Sequence, residues 1–139
     1  MAAVLSGGDS ELMDLAERCV YDPLLYSLGM FPWQKPGTML ADWEGPDVWQ
    51  ATVLRDIGEH MDAVARGAIN AGGTQVAVRS GHGIGKSALL SMVIQWFVST
   101  RKNPQVVVTA GTEVQLRTKL WREVAKGKEV AYNGHWFDW

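Results

Sequence analysis

A glycine-rich segment between two apolar runs constrains this chain more than any other part of its sequence. Residues 79–87 read RSGHGIGKS, after the short apolar run 75–78 and before the apolar run 88–94. A buried strand, a glycine-rich turn and the start of a helix, in that order, are typical of a phosphate-binding loop. The sequence therefore predicts that this segment binds the phosphate groups of a nucleotide.

Each residue type in the segment suits this chemistry. Gly81, Gly83 and Gly85 allow backbone angles that a Cβ atom would forbid, so that amide N–H groups can approach phosphate oxygens. Lys86 would place its ammonium group between the β- and γ-phosphates, and the Ser87 hydroxyl would complete a Mg²⁺ site.

The segment departs from the usual pattern G-x-x-x-x-G-K-[ST] at one position, because Ser80 stands where the first glycine is expected. His82 lies among the glycines, where a lone histidine is more often a spacer than a phosphate ligand. The simpler interpretation of the whole segment is a glycine-rich turn with a chance lysine.

The composition narrows the class of protein. The 139 residues are enough for one domain with a core, and the formal net charge of −2 means that contact with a polyanion would need a local basic patch. The single Cys19 cannot form an internal disulfide, which fits a reducing compartment. The N-terminal residues lack the features of a secretory signal, and the longest apolar run, 88–98, is too short to span a bilayer. We therefore expect a cytoplasmic protein.

The hydrophobic spacing predicts alternating strands and helices. The helix after the glycine-rich segment is apolar nearly all round, which favours burial against a sheet, and the β-branched run 105–110 is typical of a parallel strand. Strand, helix, strand and helix in this order make an open parallel sheet, so we expect an α/β fold that is incomplete at the C-terminus. The predicted elements are helices 11–20 and 24–28, a loop 31–45, helix 47–68, strand 75–78, helix 87–99, strand 105–110 and a helix from 112 or 113 to 126.

The sequence also predicts where four of the tryptophan side chains pack. Trp33 and Trp43 lie in the irregular segment 31–45, where large aromatic side chains usually fasten a loop to the domain beneath it. Trp49 and Trp121 are expected to pack in the core rather than to stack on bases.

Three segments together resemble the ATPase domain of the large terminase subunit, the motor that packages DNA into the heads of tailed phages. Residues 45–50, GPDVWQ, are similar to the glutamine motif with which that family recognises adenine. Residues 79–87 are similar to its variant of the phosphate-binding loop. Residues 107–116, VVTAGTEVQL, followed by KLW, are similar to the strand and helix that come next. The resemblance covers about residues 32–139.

The resemblance implies ATP and Mg²⁺ as ligands and gives the amide of Gln50 a bidentate pair with adenine. The hydrophobic spacing of residues 1–30 predicts an N-terminal helical arm, and the resemblance implies a truncated ATPase domain at 31–139 without the nuclease domain. It also implies double-stranded DNA, a portal protein and a small terminase subunit as partners of a homo-oligomeric ring in the host cytoplasm. The candidate nucleotide-binding residues are Gln50, Ser80, Gly81, His82, Gly83, Ile84, Gly85, Lys86 and Ser87, with Lys86 catalytic and Ser87 on the metal.

The family often carries an arginine inside the loop, which would stabilise the γ-phosphate charge. The interior positions 81–84 hold none here, and the nearest arginine is Arg79 at the entrance to the loop. Arg79 is therefore the candidate catalytic arginine, and Arg101 and Arg117 are alternatives that would act in trans across a ring.

Two other features have plain interpretations beside the functional ones. Gln50 taken alone is a solvated helix residue, and only its place before a phosphate-binding loop favours adenine recognition. Lys119, Arg122 and Lys126 share a helix face that is usually just solvated, with contact to DNA as the alternative. His60 and His135 show no metal-ligand spacing.

Hydrolysis of ATP requires an acidic residue that holds Mg²⁺ at the end of an apolar strand, usually with a glutamate beside it. No run of four apolar residues followed by Asp-Glu occurs in residues 1–139. We therefore expect the chain to be the N-terminal part of a larger packaging motor. The alternatives are a stand-alone nucleotide-binding module with little hydrolysis and a helicase-like ATPase.

Overall fold

The computed structural model describes residues 7–69, 74–79 and 85–138, and the regular elements in these residues are all helical. The helices are α1 Gly7–Arg18, α2 Pro23–Met30, α3 Val48–Ala65, α4 Lys86–Thr100, α5 Glu113–Gln115, a π-helix Leu116–Leu120, α6 Trp121–Val130 and a 3₁₀ turn Gly134–Trp136.

Local sequence explains where the helices begin. At α2, the Asp22 carboxylate accepts a hydrogen bond from the Leu25 backbone N–H at 2.9 Å, and Pro23 occupies the first helical position. At α3, Asp47 is the N-cap, and its backbone N–H donates to Gln50 Oε1 at 2.9 Å. The bounds of α3 and α4 agree with the predicted helices 47–68 and 87–99 to within a few residues.

The main core lies around α4 and draws on all of the first four helices. Trp96 is 1% exposed, and its indole Nε1 donates to the Cys19 carbonyl at 2.6 Å, which ties α4 to the end of α1. The buried members of this core are Ala16, Cys19, Tyr26, Met30, Phe31, Leu54, Leu89, Met92, Trp96 and Ala131. A smaller cluster of Ile94, Leu120 and Val124 joins α4 to α6 on another side.

A buried polar cluster completes the packing of α4. The Tyr26 hydroxyl lies 2.9 Å from Ser99 Oγ, and the Asn133 amide donates to both oxygens at 3.1 and 3.0 Å. Because three elements meet at these bonds, α2, α4 and the C-terminal turn are held together by groups that would be costly to leave unpaired.

The predicted α/β fold is wrong for the described residues, which contain no strand and no sheet. The runs 75–78 and 105–110, predicted as strands, have no regular structure, and no described backbone hydrogen bond joins them. Val107 is 89% exposed and Val76 is 47% exposed, so these runs do not form the buried centre of a sheet. The apolar surface of α4 is instead covered by helices, because a helix that is apolar all round can be buried by helices as well as by strands.

Within the described ranges, no helix has both the length and the apolar character needed to cross a membrane.

Candidate functional site

The described part of the glycine-rich segment is the start of α4. Gly85 is the N-cap, with φ 89° and ψ 25°, and Lys86 and Ser87 form the first turn. A Cβ atom at position 85 would lie 2.7 Å from Gln50 Nε2, so both the backbone angle and the close approach require glycine here. Five predicted phosphate-loop residues lie outside the described residues: Ser80, Gly81, His82, Gly83 and Ile84.

Gln50 joins the two predicted nucleotide-binding segments. Its side chain is 6% exposed, its Oε1 accepts from the Asp47 N–H at 2.9 Å, and its Nε2 donates to the Gly85 carbonyl at 2.9 Å. A side-chain amide has two acceptor lone pairs and two N–H donors. One acceptor and one donor position therefore remain, which is the complement that a bidentate pair with adenine would use.

An aromatic cavity of about 400 Å³ opens beside Gln50. The indole Nε1 of Trp33 donates to the Ser27 carbonyl at 2.7 Å and holds this side chain in the cavity wall, which confirms the predicted fastening of the loop for Trp33. Trp43, in contrast, is 54% exposed and leaves much of its ring available at the cavity. The apolar lining comes mainly from Phe31, Trp33, Met39, Leu40, Trp43, Ala88, Met92 and Val130.

A cationic cavity of about 440 Å³ lies on the other side of the α4 N-terminus. One wall is the first turn of α4, and the other is the face of the π-helix and α6. Its lining is Gly85, Lys86, Ser87, Ala88, Thr118, Lys119, Arg122, Glu123 and Lys126. Lys126 Nζ is 3.1 Å from Glu123 Oε1, so the cavity holds four cationic side chains and a single carboxylate that is already paired.

The two cavities adjoin, because Gly85, Ala88, Glu123 and Lys126 line both of them. One of these neighbouring cavities has an aromatic lining and the other a cationic lining, and we refer to the two together as the groove. A nucleotide would complement this arrangement, because it has a flat aromatic base at one end and an anionic polyphosphate at the other.

Close packing of α6 on α4 sets the width of this groove. Ser91 Oγ donates to the Glu123 carbonyl at 3.1 Å, and Gln95 Nε2 donates to Ser91 Oγ at 3.1 Å. A Cβ atom at Gly127 would lie 2.1 Å from Gln95 Nε2, so glycine is the residue that lets the two helices approach this closely.

Oxygen ligands suited to Mg²⁺ line the cationic cavity. They are the hydroxyls of Ser87 and Thr118 and the carboxylate of Glu123. Mg²⁺ in nucleotide sites usually takes one or two protein oxygens together with phosphates and waters, so this set fits an ion that arrives with a nucleotide. No group of three or more His, Cys, Asp or Glu residues within the described ranges could hold a metal ion.

The three arginines considered for catalysis lie away from the groove. Arg79 is exposed and lines neither cavity. Arg101 stacks over the Trp96 ring at 4.4 Å, and its burial lowers the pKa of its guanidinium. Arg117 pairs with Glu113 on the exposed side of the helix. The predicted roles of these arginines stay predictions.

Sequence reasoning missed two parts of the groove. The aromatic wall was interpreted as loop fastening, although Trp43 is available at the cavity. The face of Lys119, Arg122 and Lys126 was interpreted as solvated, yet it lies opposite the start of α4. The sequence signal for the aromatic wall is the pair of tryptophans in a proline- and glycine-rich loop. No local sequence pattern marks the cationic face as part of a cavity.

Comparisons of the chain with protein-family models, with curated proteins and with solved structures found no match. The resemblance to terminases therefore depends on the three segments alone.

Proposed function

We propose that this chain binds ATP and serves as the ATP-binding part of a viral DNA-packaging motor of the terminase large-subunit type. The observation that carries the proposal is the hydrogen bond from Gln50 Nε2 to the Gly85 carbonyl, at 2.9 Å. It joins the glutamine motif to the phosphate-loop motif across 35 positions of sequence, which is the contact that a shared nucleotide site requires. The described residues form no sheet, so the support is this local geometry and not the fold.

In the proposed complex, the adenine ring lies in the aromatic cavity against Trp43. The remaining lone pair of Gln50 Oε1 accepts from adenine N6, and the remaining N–H of Nε2 donates to N7. The phosphates extend past Gly85 toward Lys86 and Ser87 at the start of α4, where the positive end of the helix dipole favours anions. Bound Mg²⁺ would neutralise phosphate charge there, with Ser87 as a protein ligand.

The remainder of the proposal comes from the resemblance. The motor would act on double-stranded DNA in the host cytoplasm, as a homo-oligomeric ring with a portal protein and a small terminase subunit.

The all-helical arrangement favours a second candidate, a nucleotide-binding module without motor activity. In the sheet-based framework that the resemblance implied, the phosphate loop connects a strand to a helix, and the described residues contain no such strand. The two candidates share the nucleotide site, and they differ in turnover and in DNA dependence.

Binding calorimetry with Mg-ATP and Mg-GTP tests the shared site. We expect wild-type protein to prefer ATP, Lys86→Ala to weaken both nucleotides, and Gln50→Leu to reduce the preference by about tenfold or more, because a bidentate base contact is worth roughly 1–3 kcal/mol. The exposed Lys102→Ala and Gln105→Leu are the matched controls and should bind as wild type does. Equal binding of ATP and GTP by wild-type protein would contradict the assignment of Gln50.

An assay of ATP turnover with and without duplex DNA separates the two candidates. Turnover that duplex DNA stimulates and that Lys86→Ala abolishes favours the motor. Tight ATP binding with no turnover under either condition favours the module.

A further inference from the structure

The face of the π-helix and α6 that forms the second wall of the cationic cavity has no assigned role. Lys119, Arg122 and Lys126 recur every three or four residues along it, and all three line the cavity opposite Lys86 and Ser87. Charges grouped on one side of an otherwise acidic chain create a local field for an anion, even though the formal net charge is −2.

Two of these cations are available to a ligand. Lys126 is held by Glu123 at 3.1 Å, whereas Lys119 and Arg122 form no ion pair within the described residues and are exposed at the cavity. Arg122 carries five N–H donors in a planar fork that matches two oxygens of one phosphate group, and Lys119 offers a compact point charge.

The position of this face is fixed by buried contacts and does not depend on the charges. The Ser91 hydroxyl holds the Glu123 carbonyl at 3.1 Å, one residue from Arg122, and Val124 is fully buried against α4. Arg122 therefore stands on a rigid wall that faces the start of α4, which is the preorganisation that an anion site requires.

We infer that Arg122 and Lys119 bind the terminal phosphate of the nucleotide polyphosphate, from the wall opposite Lys86. This inference rests on the proposed function, and it adds a second element of the chain to the phosphate site. DNA phosphate is the competing ligand for the same side chains. The lining that both side chains share with Gly85, Lys86 and Ser87 favours the nucleotide, because the same cavity includes the first turn of α4, where the proposed function places the phosphates.

Calorimetry with three probes, each with Mg²⁺, tests the inference: inorganic tripolyphosphate, ATP and adenosine. We expect Arg122→Gln to weaken tripolyphosphate and ATP by about tenfold each, since charge-assisted hydrogen bonds are lost, and to leave adenosine unchanged. Lys119→Gln should act in the same direction with a smaller effect. Arg55→Gln and Lys102→Gln remove the same charges from exposed positions outside both cavities and should bind all three probes as wild type does.

The outcomes separate this inference from the proposed function. If Arg122→Gln binds tripolyphosphate and ATP as wild type does, the inference is wrong and the proposed function stands. If wild-type protein binds ATP no more tightly than tripolyphosphate, while Arg122→Gln weakens both, the cationic site stands and the adenine assignment fails. A separate titration with a short DNA duplex tests the competing ligand. If Arg122→Gln lowers only the affinity for this duplex, or weakens adenosine as strongly as ATP, the inference is overturned.

Discussion

At the scale of single residues, the candidate site depends on the contact between Gly85 and Gln50. The backbone of Gly85 has a φ of 89°, and its carbonyl accepts from Gln50 Nε2, while the other atom of the same amide caps α3. One side chain therefore sets both the start of α3 and the turn that precedes α4. The aromatic cavity lies between these two helix starts.

Replacement of Gly85 by alanine tests the contribution of this contact to stability. A left-handed backbone costs a non-glycine residue about 1–2 kcal/mol, and the added Cβ would also displace Gln50 Nε2 from 2.7 Å and break its hydrogen bond, which adds about 1 kcal/mol. Gly37→Ala is the control, because Gly37 has a φ of 83° and open space where its Cβ would lie. Urea unfolding should show that Gly85→Ala costs more than Gly37→Ala. Equal costs would mean that the contact with Gln50 contributes nothing to stability.

At the scale of elements, α4 is the helix on which the others pack. Its sequence is apolar nearly all round, and α1, α2 and α6 each bury part of it. The prediction that this helix is buried is confirmed, and the prediction that a sheet buries it is wrong. Periodicity reports how much of a helix surface is apolar, but it does not report what kind of element covers that surface.

The π-helix at Leu116–Leu120 explains a second difference. Trp121 is predicted to pack in the core, whereas it is 48% exposed, and Val114 is 68% exposed although Leu120 and Val124 are buried. The Trp121 N–H donates to the Leu116 carbonyl, five residues back, so this turn holds one residue more than an α-helical turn. An extra residue rotates the helix by about 100°, so three-four spacing across it no longer marks one face.

The contact between α4 and α6 provides a prediction at this scale. In an isolated helix, Gly127→Ala would be favourable by about 1 kcal/mol. Here the new Cβ would lie 2.1 Å from Gln95 Nε2 and 2.6 Å from Ser91 Oγ, so we expect a net loss of about 1–3 kcal/mol from overpacking.

The double variant Gly127→Ala with Gln95→Ala is the control for that effect. Removal of the Gln95 amide relieves the closer contact, so the two changes together should cost less than the sum of the single changes in urea unfolding. Additive costs would show that the helices separate for another reason.

At the scale of the whole molecule, the two ends of the described chain meet around α4. The Tyr132 N–H donates to the Met30 carbonyl at 2.8 Å, and His135 Nε2 lies 2.6 Å from Asp9 Oδ1 on α1. Residues 7–30 thus share one core with α3, α4 and the C-terminal turn. The walls of the groove are therefore supported by contacts among α1, α2, α3, α4 and the C-terminal turn.

Alkaline pH should lower the stability of the folded chain, because the thiol of Cys19 ionises more readily in the unfolded chain. Burial, with a smaller contribution from the Asp22 carboxylate and against the opposing effect of Arg18, raises the pKa of the thiol from 9.0 to about 11. The folded chain then keeps a proton that the unfolded chain loses, so this contribution is present below pH 9 and is lost as the pH rises toward 11. The free energy of unfolding should fall by about 2 kcal/mol across that window.

Urea unfolding of wild type and Cys19→Ala, below pH 9 and near pH 11, measures the contribution of Cys19 to the pH dependence of stability. The variant should show a smaller loss with rising pH. It should not lose the dependence entirely, because burial also raises the pKa of Tyr26. An identical loss in both proteins would exclude Cys19 as its source.

Sequence patterns were sufficient to predict the features that depend on a few neighbouring residues. The Gly85-Lys86-Ser87 start of α4 and the approximate bounds of α3 and α4 are predicted correctly, because helix starts and turns are made within about one helical turn. The tertiary structure alone decided what the apolar runs contact. Strand pairing and helix packing depend on hydrogen bonds and buried area contributed by distant residues. The valine run 106–108 therefore has the sequence of a buried strand, whereas Val106 is 41% exposed and Val107 is 89% exposed. For the same reason, only the fold could bring Arg122 opposite the start of α4.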